Sequence, residues 1–280
     1  MRIRATVAAL SGALVLSALA LPAAAQASER PGAESLNTFS SKAVHADAAA
    51  GDTTFSNVVV NGGKDIVLGL TTKKTVTVSW TATDADGVAD SWAALWHGTD
   101  MENLDGALVP TADTATCTVS ATDATVSACK ISISIDASTD LYGNGAAGTW
   151  KLYVEADDSA GNFSYNDTAT TAKVKKISKL TVNATPEPVK KGKTITVTGK
   201  LTRANWTTNS YTGYGTQSVK LQYRKKNSST YTTLKTIKSS STGALKTTTT
   251  ATADGYYRFS FAGTTTTATS NATGDYVDVQ

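Results

Sequence analysis

The sequence has 280 residues and carries 26 Lys plus Arg against 23 Asp plus Glu, a formal net charge of +3. With only two histidines and two cysteines, it holds no zinc site of the H-E-x-x-H kind and no C-x-x-C pair. A G-x-S-x-G elbow and a G-x-x-x-x-G-K-[ST] phosphate loop are also missing, so the motifs point away from an enzyme.

In chain order, "MRIRATVAALSGALVLSALALPAAAQAS" comes first. Two arginines, an apolar run from Ala5 to about Leu21 and a small-residue A-x-A segment have the layout of a secretory signal peptide, residues 1–27. Ser11, Gly12 and Ser17 break the run and Pro22 ends it, which is too short for a membrane anchor. No cysteine follows for lipid attachment and the C-terminal "GDYVDVQ" has no apolar tail. The expected product is therefore secreted, extracellular and untethered. Residues 28–52 mix Ala, Ser, Gly and charge with few large apolar side chains, and read as a flexible, disordered leader.

The modest net charge hides a division. Between Phe55 and Ala172 there are 15 acidic residues against 5 lysines, a net of −10. From Lys173 to Gln280 there are 17 Lys plus Arg against 4 acidic residues, a net of +13. The sign changes in "AKVKKISKLTVNATPEPVKKGK", which Pro186 and Pro188 punctuate. This sets a boundary near residue 176, with an acidic domain over 53–176 and a basic one over 177–280.

Within the acidic half, "KTVTVSWTAT" (74–83), "KISISID" (130–136) and "TWKLYVEAD" (149–157) alternate apolar and polar residues with a period of two, as strands do. Trp80 and Trp150 read as core. Trp92 and Trp96 share one face of a strand, and that face is either core or an exposed aromatic platform for sugar rings. His97 reads as a surface residue at a strand end, and His45 falls in the leader. "CTVSATDATVSAC" reads as a hairpin about Asp123, which sets Cys117 opposite Cys129 for one disulfide.

The basic half repeats the rhythm in "KTITVTGKLT" (193–202), "SVKLQYRKK" (218–226) and "YYRFSFAG" (256–263). Between the first two lies a long polar loop with Trp206, Tyr211 and Tyr214. It is a candidate contact surface, or else a loop folded over the end of its own sandwich. Outside the signal peptide no segment shows a 3.6-residue period. Short, regularly spaced strands make the fold all-β, with two tandem antiparallel β-sandwich domains.

"TATDADGVADSWAALWHG" and "GTWKLYVEADDSAGN" resemble bacterial Ig-like domains of secreted proteins, with Asp84, Gly87 and Val88 matching one element and Gly148, Ala156, Asp158, Gly161 and Asn162 the other. The half from "KKGKTITVTGKL" to "TTTTATSN" looks like a second Ig-like module common in actinobacterial secreted proteins. The resemblance implies the fold over nearly all of 55–280 and implies no task. The two cysteines depart from the immunoglobulin pattern, being too close in sequence to staple two sheets.

Two charged regions remain open. Asp84, Asp86 and Asp90 of one turn and Asp157, Asp158 and Asn162 of another share an end of a sandwich, where they form either a calcium site or solvated turns. The spacing is not that of an EF-hand, because Leu95 stands at the closing position counted from Asp84. In the basic half, "VKKISK", "VKKGK" and "YRKKNSS" suit an anionic cell-wall polymer or polysaccharide, and scarce arginine speaks against specific nucleic-acid binding. The sequence thus leads to a secreted, non-enzymatic binding or structural module at the cell envelope or extracellular matrix. A calcium-dependent adhesion module is the alternative; a β-sandwich hydrolase or carbohydrate-binding protein is more distant.

Overall fold

The computed structural model describes residues 32–43 and 50–280; the expected signal peptide lies outside the described residues. The first half contains β1 (Thr54–Val60), β2 (Ile66–Leu68), β3 (Lys73–Thr83), β4 (Val88–Gly98) and β5 (Leu104–Leu108). It continues with β6 (Thr116–Val119), β7 (Val126–Asp136), β8 (Gly148–Asp158) and β9 (Phe163–Lys176). One sheet runs β1-β3-β7-β6 and the other β2-β9-β8-β4-β5. All pairings are antiparallel except β2 with β9, where Ile66–Leu68 lie beside Val174–Lys176. A first strand that pairs with one sheet and a second that joins the other, parallel to its last strand, is an Ig-like arrangement.

The alternation read in the sequence is the packing. Val76, Val78, Trp80 and Ala82 of β3 and Ile131, Ile133 and Ile135 of β7 are buried, with polar neighbours between them turned outward. Burying a Val or Ile side chain is worth about 1.5–3 kcal/mol, so this pair of strands anchors one wall of the core. Cys117 and Cys129 are register partners on β6 and β7 and form the disulfide, with Cα atoms 4.0 Å apart. The bond staples a hairpin within one sheet, which is why it departs from the immunoglobulin pattern.

The second half contains β10 (Ser178–Leu180), β11 (Asn183–Thr185), β12 (Thr194–Asn205), β13 (Ser210–Gly213), β14 (Ser218–Lys225) and β15 (Thr232–Lys238). It ends with β16 (Ala244–Thr250), β17 (Gly255–Phe261), β18 (Ser270–Asn271) and β19 (Asp275–Val277). In one sheet β10, β11, β13 and β16 all pair with β12; the other runs β15-β14-β17, with β18 and β19 both on β17. Ile195, Val197, Leu201, Leu221, Tyr257 and Phe259 fill the core between them.

Two expectations fail here. Residues Ala33–Lys42, inside the supposed disordered leader, form a helix, α1. Its Leu36 and Phe39 point one way at helical spacing, and Phe39 is fully buried against Trp92 and Tyr153, at ring-centre distances of 6.3 and 5.5 Å. Phe39, with Leu36 and Ala43 packed on the same core, docks a helix that its overall composition disfavours. The supposed long loop after residue 202 is a β-hairpin, because β12 continues to Asn205 and pairs back with β13.

Helix α1 also settles Trp92 and Trp96. Both lie on the outer face of the β2-β9-β8-β4-β5 sheet with Tyr153, yet they are 2% and 1% exposed. The helix covers Trp92, while Lys151 lies over Trp96 and its indole N–H donates to the Asp167 carbonyl. The sheet is thereby buried on both faces from Ser91 to Trp96.

Candidate functional site

The β3–β4 and β8–β9 turns meet at one end of the first sandwich, where the Ser159 N–H and hydroxyl both donate to the Gly87 carbonyl. Each turn is built around an aspartate. Asp84 Oδ1 accepts the Asp86 N–H at 2.9 Å, and Gly87 closes the turn at φ 80°, a conformation that suits glycine. Asp158 accepts both the backbone N–H and the side-chain amide of Asn162 at 2.8 Å each. These donors, the backbone one foremost, hold the Asp158 carboxyl below the usual carboxylate range.

A third strand of chain brings the missing partner. Gly51 N–H donates to the Phe163 carbonyl, Thr53 N–H to the Ser164 hydroxyl, and the Thr53 hydroxyl to Asp84 Oδ2 at 2.6 Å. This places Asp52 beside the pair, so that carboxylate oxygens of Asp52, Asp84 and Asp158 lie within 4.8 Å of one another. Asp84 and Asp158 are each only 3% exposed, whereas Asp52 is exposed.

Of the residues chosen from sequence, then, the structure brings Asp84 and Asp158 together. Asp86 and Asn162 serve as donors that fix them. Asp90 and Asp157 stand opposite each other across β4 and β8 instead. Burial raises the Asp90 carboxyl above its ordinary range, with Asp157 pushing the same way against the Ser91 N–H and Lys42. Asp52 was missed because its arrival depends on pairing 111 residues away in sequence, which no local pattern carries.

The aromatic hairpin lies elsewhere than expected. Trp206 is 9% exposed and sits against the first sandwich, where its indole N–H donates to the Gly69 carbonyl at 2.7 Å. Asn144 completes the joint: its amide donates to Asn205 and its oxygen accepts from Trp206 N–H and Lys176. Trp206 therefore contacts the chain itself, while Tyr211 and Tyr214 are half-buried under Lys179 and Arg203. Burial and the neighbouring Arg203 depress the Lys176 ammonium to about 8. His97, expected at the surface, is half-buried; its Nδ1 lies 2.5 Å from Asp105 and 3.0 Å from the Tyr142 hydroxyl.

No known family profile matches the chain, and no curated protein does. Among solved structures it is similar to latent PorU from Porphyromonas gingivalis, at 13% identity and a TM-score of 0.26, over 85% of this chain and 21% of that one. The D00-D0 domain of intimin is 16% identical at a TM-score of 0.26, over 80% of this chain and 99% of that one. The Yersinia pseudotuberculosis adhesin InvE gives 16% and 0.26, over 80% and 58%. The chain spans about a fifth of the first and somewhat over half of the third. Superpositions this loose add nothing to the strand order, and it is that order which makes this a nearly all-β chain of Ig-like antiparallel sandwiches. No family beyond that fold class is assigned.

Proposed function

We propose that the chain is a non-enzymatic binding or structural module of the extracellular kind, and that its first sandwich holds calcium at Asp52, Asp84 and Asp158. The observation that carries this reading is the convergence of three carboxylates within 4.8 Å, two of them buried. Like charges drawn from water repel one another, and a cation relieves that repulsion. The donor set is all hard oxygen, which suits calcium far better than zinc or copper. The caps on Asp84 and Asp158 leave further lone pairs on each carboxylate. The disulfide supports an oxidising compartment. An ion there would tie the segment before β1 to both turns, as a calcium-dependent adhesion module would require.

The test is a thermal melt in calcium, in magnesium and in chelator at matched ionic strength. Calcium at a hundred times its Kd stabilises by about 2.7 kcal/mol. The shift should vanish in Asp84→Asn and in Asp52→Asn, and persist in Asp113→Asn. Identical midpoints in calcium and chelator would return these aspartates to the role of turn caps.

A further inference from the structure

The described residues include three arginines, Arg203, Arg224 and Arg258, and two of these stand on one face of the second sandwich. Leu221 on β14 and Tyr257 and Phe259 on β17 point into the core, so Lys220, Gln222 and Arg224 and, on β17, Tyr256 and Arg258 point outward. Gln222 pairs with Arg258 and Arg224 with Tyr256, which makes the two arginines diagonal neighbours, about 7–8 Å apart at Cα.

Both guanidiniums are held in place. Arg258 lies 3.7 Å from the centre of the Tyr231 ring and donates from Nε to Gln222 at 2.9 Å. Arg224 lies 3.8 Å from the Tyr256 ring and 5.4 Å from Tyr231, and its Nη1 donates to the Ser228 carbonyl at 2.9 Å. These bonds leave most of the five N–H donors of each guanidinium for a ligand. Neither has a carboxylate partner among the described residues; the one acid bridged nearby, Asp254, is bound to Lys226. A fixed planar fork without a counter-ion matches phosphate or carboxylate in a bidentate manner. The surrounding half carries a net +13.

The tyrosines narrow the ligand. Tyr231 and Tyr256 each carry a guanidinium on a face, Lys226 lies 5.3 Å from Tyr276, and Tyr256 and Tyr276 pack on each other at 5.2 Å. The ring faces so covered are closed to stacking by a nucleobase or a sugar ring. We propose that this face binds a linear, ring-free polyanion, a polyol phosphodiester chain, with Arg224 and Arg258 as its phosphate forks. The proposal rests on the chain being a binding module, but it uses neither the calcium site nor the first sandwich.

The test measures binding of poly(glycerol phosphate) to the full chain against salt concentration, in chelator. Arg224→Gln with Arg258→Gln should weaken binding at least tenfold and lower the slope of log K on log salt by about two. Arg224→Lys with Arg258→Lys keeps the charge but not the fork, so the slope should stay while affinity falls; this pair decides the matter if the glutamine pair does not fold. Lys200→Gln with Lys246→Gln, on the opposite sheet, should change little. An equal loss in that control, an undiminished arginine variant, or tighter binding of polygalacturonate or oligo-dT would each overturn the proposal. Because chelator removes calcium throughout, a failure here leaves the calcium melt untouched, and the reverse holds too.

Discussion

The two sandwiches share a plan and differ in what covers them. Among the described residues, 31 side chains form the buried cluster about the first, Ala204 and Trp206 of the second half among them, and 15 that of the second. Part of the excess is aromatic: Trp92, Trp96 and Tyr153 lie outside the first sandwich and are buried by α1, Lys151 and neighbouring chain. In the second, the outer face of the equivalent sheet is left to arginine, lysine and half-exposed tyrosine. One outer face has become core and the other stays open to solvent. The comparison teaches that the same alternation of residues yields either outcome, depending on whether another segment arrives to cover it.

The largest effect should come from the joint between the two. Trp206→Ala removes an indole seated against the first sandwich and should cost about 3–5 kcal/mol. Differential scanning calorimetry should then split one transition into two; a single unchanged transition would mean the halves do not depend on this contact. Phe39→Ala comes next, at about 3 kcal/mol, and should destabilise the first sandwich alone. Quenching of tryptophan fluorescence should rise as Trp92 is uncovered, and no rise would show that α1 contributes nothing to its burial. Loss of the disulfide in Cys117→Ser with Cys129→Ser should cost about 2–3 kcal/mol, again in the first half, read from urea midpoints.

Acid should weaken the first sandwich more than the second. Asp100, Asp123, Asp136 and Asp158 are held below their ordinary range by local donors, against Asp254 alone in the second. A depressed carboxylate stabilises above its unfolded-state value, and that contribution is lost as pH falls through the folded one. Hydrogen exchange at about pH 3 should therefore show earlier opening of β3 and β8 than of β12 and β17. Lys176 acts in the opposite sense, in that folding disfavours its charged form. Its ammonium loses its proton near 8 when folded and keeps it to about 10.4 when unfolded, so the joint should strengthen as pH rises between those values. Lys176→Met should flatten that rise.

Much of the fold was legible because alternation is local. The strands read at 74–83, 149–157 and 218–226 match β3, β8 and β14 to within a residue or two. The Cys117–Cys129 pair followed from the hairpin between them. What stayed hidden depended on distant pairing. Asp52 reaches Asp84 because Gly51 and Thr53 bond to Phe163, Ser164 and Asp84 itself, and Phe39 makes sense of the leader only once Trp92 and Tyr153 stand beside each other. Arg224 and Arg258 looked sparse in the sequence because register, not composition, puts them together.

The parallel pairing of β2 with β9 has a mechanical meaning. Tension along the chain enters the first sandwich near Gly51 and leaves at Lys176, and it slides Ile66–Leu68 past Val174–Lys176. Those bonds must then break together, in shear. In the second half the parallel contacts are isolated bridges, Lys176 with Thr267 and Val189 with Val279, and no strand pair. Pulled end to end in a force spectrometer, the basic half should yield first and the acidic half should hold.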